Sequence, residues 1–167
     1  GVSMFPLVGE VTPDRRPRAD LPTAAGGFAP RRDATAYEAL RDRARQLGQP
    51  AVVVHTLGTR RDFGARQAFV TNLLAAGGIS AVQEGSKVAI LASSRAGYAE
   101  HGASAIEALR AAGVDTVLVA GRAGELGESA GAVDGEVHDG IDVVAFLSDV
   151  LDRLAPRDAG TTTEGSR

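Results

Sequence analysis

Three short runs of apolar residues constrain the fold of this chain most strongly. Residues 51–57, 88–92 and 116–120 are rich in Val, Ile, Leu and Ala, and each run is largely apolar on both faces. Strands of this kind are typical of the centre of a parallel sheet that helices cover on both sides. Aromatic residues make up only 4% of the chain, so the core must be built from aliphatic side chains.

Helical patterns alternate with these runs. The sequence predicts helices at 34–48, 64–78, 97–112 and 142–154, weak helical structure at 121–131, and a short strand at 135–138. The residues expected to face the core are Tyr37, Leu40, Ala44 and Leu47; Ala65, Phe69, Leu73 and Ala76; Ala99, Ala103, Ile106 and Leu109; and Val143, Phe146, Leu147, Val150, Leu151 and Leu154. The alternation predicts an α/β domain with a doubly wound, mostly parallel, flavodoxin-like (Rossmann-like) sheet and right-handed crossovers.

The stretch 79–87 breaks this alternation. It must leave one helix and reach the next apolar strand within nine residues, whereas a parallel crossover needs about a dozen or more. Either 79–82 is a reduced second strand without its crossover helix, or a segment is missing from the chain. We expect no helix in 79–87 and a short or absent strand beside 52–57.

The domain organisation follows from the distribution of Pro, Gly and charge. Residues 12–33 contain four prolines and five arginines, so we predict that 1–33 is an extended linker, whose arginines could alternatively clamp an acidic partner. Residues 34–155 are predicted to form the α/β domain, with Asp33 or Thr35 capping its first helix. The segment 156–167 is polar and is predicted to be a disordered tail.

The composition argues against several classes of function. The chain has no cysteine, so it can form neither a disulfide nor a thiolate metal site. A net charge of −3 gives no electrostatic footprint for nucleic acid or an anionic membrane. No apolar run reaches the roughly 20 residues that span a bilayer, and residues 1–6 lack the basic start of a signal peptide. We therefore expect a cytoplasmic protein that binds neither nucleic acid nor a membrane.

Ligands in open α/β sheets bind at the carboxyl ends of the strands. The first such loop, 58–64, contains Arg60 and Arg61 and leads to a helix N-terminus that could hold an anion or a nucleotide. It is not a P-loop, because Gly64 is not followed by Lys and Ser or Thr, and it contains no G-x-G-x-x-G. The Gly-rich segment 121–131 is more typical of a flexible turn.

The three histidines are scattered along the sequence. His55 falls within a central strand and is interpreted as a packed core residue, although a ligand role stays open. His101 is expected in solvent. His138 beside Asp139 is expected to be a surface pair, although a role as an oriented base stays open. The order of Ser, His and Asp residues along the chain does not suggest a catalytic triad, and no pair of carboxylates suggests acid–base catalysis. The sequence therefore predicts no catalytic residue.

Several segments, in order, resemble the small subunit of methylmalonyl-CoA mutase. The longest, 63–79, resembles the first helix of that family's C-terminal cobalamin-binding-like domain. Similar segments lie at 37–44, 93–94, 98–100, 117–121, 142–147 and 151–154. The segment 1–6 is similar to the one that leaves the family's preceding barrel domain. The resemblance therefore covers residues 1–155 and implies that 1–33 follows a barrel that this chain lacks.

The resemblance also implies where a cobalamin ligand would belong. Cobalamin-binding members carry D-x-H-x-x-G, in which the histidine replaces the lower cobalt ligand. Aligned on Gly64, this chain has Thr59 at the position of the Asp and Arg61 at that of the His. The later S-x-L motif reads Ser93-Ser94-Arg95, and the Gly-Gly pair reads Ala120-Gly121. Because arginine has no lone pair for a metal, and threonine cannot orient a ligand histidine as a carboxylate does, we expect this chain to bind no cobalamin and no metal.

The resemblance implies a structural and interaction domain of the small subunit. Its partner would be the large catalytic subunit, which would hold adenosylcobalamin and interconvert methylmalonyl-CoA and succinyl-CoA within a heterodimer. Two alternatives stay open. The chain could be a cobalamin-binding module of an acyl-CoA mutase with a changed ligand such as His55, or a small anion or nucleotide binder at 58–64.

Overall fold

The computed structural model describes residues 32–156, which form five parallel strands with helices on both faces of the sheet. The elements are α1 Arg32–Gln46, β1 Ala51–Thr56, α2 Arg60–Ala76, β2 Ser80–Val82, β3 Val88–Ala92, α3 Arg95–Ala111, β4 Thr116–Ala120, a 3₁₀ segment Ala123–Ala132, β5 Gly135–Val137 and α4 Val143–Leu154. The strand order is β2-β1-β3-β4-β5, and each neighbouring pair is parallel. This order is that of flavodoxin-like sheets and confirms the predicted fold class.

The ends of the chain leave part of the predicted organisation outside the described residues. The linker predicted at 1–33 and the tail predicted at 156–167 fall mostly there and stay predictions. Where the description begins, α1 already includes residues 32–35. Asp33 and Thr35 are therefore inside the helix, and the prediction that one of them caps it was wrong.

The link between β2 and β3 confirms the predicted irregularity. β2 has only three residues, which pair with Ala51–Val53 of β1, and residues 83–87 contain no helix. Ser86 holds the link at the amino end of β1, because its hydroxyl donates to the Ala51 carbonyl at 2.6 Å and accepts from the Val88 N–H at 3.1 Å. The link leaves a groove of about 570 Å³ beside the end of α3. The second strand is therefore present but reduced, and its crossover helix is absent.

Two aliphatic layers, one on each face of the sheet, form the core. Val52 and Val54 of β1 pack into the layer beneath α1, α2 and α4, whereas Val53 packs into the layer beneath α3 and the 3₁₀ segment. This alternation follows from the two-residue period of a strand. Asp142 caps α4 by accepting from the Ala145 N–H at 3.0 Å, and Leu147, Val150 and Leu151 of α4 are fully buried, as predicted.

Two helices bury faces that match the predicted ones only in part. α2 buries Val70 and Leu74 together with the predicted Leu73, while Ala65 is exposed and the Phe69 side chain is 37% exposed. α3 buries Tyr98, Gly102 and Ala105 together with the predicted Ile106 and Leu109, and Ala99 and Ala103 are exposed. The reason is that both helices are rich in Ala, whose small side chain costs little in solvent and so does not define the buried face.

Candidate functional site

The loop predicted at 58–64, at the carboxyl end of β1, is shorter in the structure because α2 starts within it. The helix begins at Arg60, not at Gly64, and Thr59 is its N-cap residue. Asp62 closes a capping box, because its carboxylate accepts from the Thr59 N–H at 2.9 Å and from the Thr59 hydroxyl at 2.7 Å. The Thr59 hydroxyl and then its N–H lower the pKa of Asp62. Arg61 therefore lies in the first turn of a helix and is exposed, and the Thr-x-x-Asp spacing was the signal for this start.

The loop after β3 ties the ends of two strands and the starts of two helices together. Ser93 is fully buried, and its hydroxyl donates to the Leu57 carbonyl at 2.9 Å. Ser94 caps α3 by accepting from the Gly97 N–H at 3.2 Å, and its hydroxyl donates to Asp62 at 3.4 Å. Arg95, the first residue of α3, is exposed.

An ion pair fills the space beside Gly121, where β4 ends. The Arg66 guanidinium donates to the Ala120 carbonyl at 2.9 Å and to the Glu125 carboxylate at 2.7 Å. A Cβ at Gly121, whose φ is +126°, would lie 2.6 Å from Arg66 Nη1 and 2.7 Å from Glu125 Oε1. The glycine therefore gives room to a side-chain pair of the same chain at this strand end.

Tyr98 completes this arrangement, and we call Arg66, Tyr98 and Glu125 the strand-end cluster. The buried Tyr98 hydroxyl lies 3.0 Å from the Leu91 carbonyl and 2.7 Å from the Ala120 carbonyl, so it can donate to either. The Arg66 guanidinium lies 5.2 Å from the centre of the Tyr98 ring, within reach of a cation–π interaction. Burial raises the pKa of Tyr98 and keeps it neutral. Sequence reasoning missed this cluster because its members are about thirty residues apart.

Glu125 should make the fold sensitive to acid. Burial disfavours its charged form, but hydrogen bonds from Arg66 and from the Arg122 N–H outweigh burial and lower its pKa below the ordinary 4.5. A group with a lowered folded pKa stabilises the fold above the unfolded pKa, and this contribution disappears as pH falls through the folded value. Glu125→Gln should therefore lower the free energy of unfolding at pH 7 and have a smaller effect at about pH 3.

The measurement is urea unfolding at both pH values, with Glu128→Gln as the control. Glu128 is exposed in the same 3₁₀ segment and forms no ion pair with another described residue. An equal loss for Glu125→Gln at the two pH values would show that its charge contributes nothing.

The histidines do not come together at this edge of the sheet. His55 is half-buried in β1, not packed in the core as expected, because no crossover helix covers its face. The His138 side chain is only 19% exposed, and its Nε2 lies 3.2 Å from the Glu136 carboxylate. Its contact with Asp139 is to the backbone carbonyl and not to the carboxylate. The prediction that His138 and Asp139 form a surface pair was therefore wrong. The prediction that His101 is exposed is confirmed. Within residues 32–156, no three His, Asp or Glu side chains could hold a metal together.

A shallow groove of about 330 Å³ remains beside the strand-end cluster. It runs between α2 and the end of β5 and is lined by Phe69, Arg66, Gly121, Arg122 and His138, among others. Most of its charged groups are already matched within the described chain, since Arg66 pairs with Glu125 and Arg122 with Glu136, whereas the Asp139 carboxylate forms no ion pair with another described residue. The groove therefore offers an apolar wall and few unmatched polar groups.

Comparison with the sequences of known proteins places this chain in a family. The methylmalonyl-CoA mutase small subunit of Streptomyces virginiae is 36% identical over 176 residues, covering 92% of this chain and 27% of that protein. That of Propionibacterium freudenreichii subsp. shermanii is 35% identical over 128 residues, covering 67% and 20%. The chain is a relative of the methylmalonyl-CoA mutase small subunits. A probable small subunit of Mycobacterium tuberculosis is 34% identical over 175 residues, with 92% and 27% covered.

The match to the mutase small subunits covers only part of their length. The chain spans about a quarter of the length of these relatives. No family model matches the chain. Among the described helices, none is long and apolar enough to cross a membrane.

Proposed function

We propose that this chain is the cobalamin-domain-like part of a mutase small subunit and acts as a structural and interaction domain. Its partner is the large catalytic subunit, which holds adenosylcobalamin and interconverts methylmalonyl-CoA and succinyl-CoA within a heterodimer. The chain itself performs no catalysis and binds no cobalamin. The observation that carries this proposal is that its own side chains occupy the carboxyl edge of the sheet, where a ligand of this fold would bind.

The start of α2 supports the loss of the cobalt ligand. Arg61, at the position of the histidine, lies on the exposed first turn of a helix, and its guanidinium has no lone pair for cobalt. Thr59, at the position of the carboxylate, is held by Asp62 as the helix cap. A histidine placed at 61 would therefore lack a partner to fix its tautomer.

The strand-end cluster supports the loss of space for a cofactor. Arg66 and Glu125 fill the position above Gly121, and Arg66 is fixed further by the Ala120 carbonyl and the Tyr98 ring. A ligand that entered beside β4 would have to break a partly buried ion pair, and the freed charges would need new partners.

Co-expression with a large mutase subunit tests this proposal. We expect the full 167-residue chain to co-purify with the large subunit and to show no mutase turnover by itself, because its described residues offer no catalytic arrangement. Turnover by the purified chain alone would contradict the proposal, as would failure to associate under conditions in which a full-length small subunit does. A full-length small subunit from Streptomyces virginiae is the matched control.

A further inference from the structure

The cations of the described chain are distributed unevenly. Residues 34–156 carry eleven Arg and Lys side chains. Seven form ion pairs with carboxylates within this range, namely Arg43, Arg45, Arg66, Lys87, Arg110, Arg122 and Arg153, and Arg41 donates to the Ala76 carbonyl. The remaining three, Arg60, Arg61 and Arg95, are all exposed and all lie at the carboxyl edge of the sheet. We call them the arginine edge.

The arginine edge joins the starts of two helices. Arg60 and Arg61 are the first two residues of α2, and Arg95 is the first residue of α3. The two helix starts are neighbours, because the Ser94 hydroxyl donates to the Asp62 carboxylate at 3.4 Å. The three arginines therefore lie at neighbouring helix starts on the same edge of the sheet.

These positions are unfavourable for cations within the isolated fold. A helix N-terminus carries a partial positive charge, so a cation in the first turn is repelled and an anion is stabilised. The first turn of α2 has one acid, Asp62, which is already engaged by Thr59, and the first turn of α3 has none. The compensation within the fold is weak, because Arg61 and Arg95 make only minor contributions to the lowered pKa values of Asp62 and Glu125. Positions that break a local rule in this way are expected at functional sites.

We propose that the arginine edge docks a carboxylate-rich protein surface, which under the proposed function belongs to the large mutase subunit. Guanidinium groups suit this partner because each can bind a carboxylate through two parallel hydrogen bonds. A nucleic acid fits less well. The edge has only three cations on a chain of net charge −3, and nucleic-acid sites carry a wider basic surface.

The test compares two triple variants of the full chain for binding to the purified large subunit. Arg60→Gln, Arg61→Gln and Arg95→Gln together should weaken the complex at least about tenfold at low salt, mainly through slower association. Added salt should weaken wild-type binding and reduce this difference. The same triple variant should melt at a higher temperature than wild type, because it removes cations from two helix starts. Weaker binding by a more stable protein is a result that a structural role for these arginines would not give.

The control has the same change in net charge at the opposite edge of the sheet. Arg45→Gln, Lys87→Gln and Arg153→Gln together remove three exposed or partly exposed cations that are paired within the domain. This variant should bind the large subunit as tightly as wild type and should not melt higher.

Three results would overturn the inference. One is equal binding of the arginine-edge variant and wild type, which would leave the proposed function standing. Another is a lower melting temperature together with weaker binding, since loss of the fold would then explain the result. In the third, the wild-type chain binds duplex DNA and the arginine-edge variant does not, while both bind the large subunit equally well. If the wild-type chain does not bind the large subunit at all, the proposed function fails together with this inference.

Discussion

Arg61→His should recover little cobalamin binding, although it supplies the missing imidazole. The new side chain would lie on an exposed first turn of α2 without a carboxylate to orient it, because Asp62 is already engaged by Thr59. Partners that orient a metal-bound histidine commonly change affinity by about 10–100-fold. Thr59→Asp together with Arg61→His should therefore bind at least about tenfold more tightly than Arg61→His alone.

A spectral titration with adenosylcobalamin measures this difference. The matched control is Thr59→Asp without the histidine, which keeps a good helix cap and should give no histidine-ligated spectrum. Full binding by Arg61→His alone would show that Thr59 is not the obstacle. No binding by the double variant would point to the strand-end cluster, and adding Arg66→Ala to the double variant would test that explanation.

Gly97→Ala and Gly64→Ala should change stability in opposite directions. A Cβ at Gly97 would lie 2.2 Å from the Ser93 hydroxyl oxygen, and Ser93 is fully buried and bonded to the Leu57 carbonyl. Overpacking of this kind costs about 1–3 kcal/mol. At Gly64 a Cβ meets only the Arg60 side chain at 3.6 Å, so alanine in the helix interior should stabilise the protein by about 0.5–1 kcal/mol.

Urea unfolding of the two variants checks this pair. Gly64 is the glycine on which the cobalamin motif was aligned, and its tolerance of alanine would show that the fold of α2 does not require a glycine at this position. A destabilised Gly64→Ala variant would indicate a tighter environment for α2 than the structure shows. An unchanged Gly97→Ala variant would contradict the contact between the ends of β1 and β3.

The sequence predicted the sheet well because the relevant signals are local. Short runs that are apolar on both faces predicted the ends of β1, β3 and β4 to within one residue. The short length of 79–87 was enough to predict the reduced β2. The start of α2 was misplaced because Arg60 to Phe63 resemble a loop in charge, whereas the capping contact of Thr59 with Asp62 decides the boundary.

The strand-end cluster was beyond sequence reasoning for a different reason. Arg66, Tyr98 and Glu125 come from three elements, and their contact depends on how α2 and α3 rotate over the sheet. That rotation was misjudged, since Phe69 and Ala99 were expected inside and are exposed. In helices rich in Ala the periodic pattern is weak, so the packing of a few larger side chains such as Tyr98 sets the face.

The most direct test of the central claim is a spectral titration of the unmodified chain with adenosylcobalamin. We expect the spectrum to stay that of the free cofactor, because Arg61 cannot ligate cobalt and the strand-end cluster fills the edge beside Gly121. The same sample should then associate with the large subunit, which shows that the chain is folded. A base-off, histidine-ligated spectrum that saturates at one cofactor per chain would contradict the proposal that this chain binds no cobalamin.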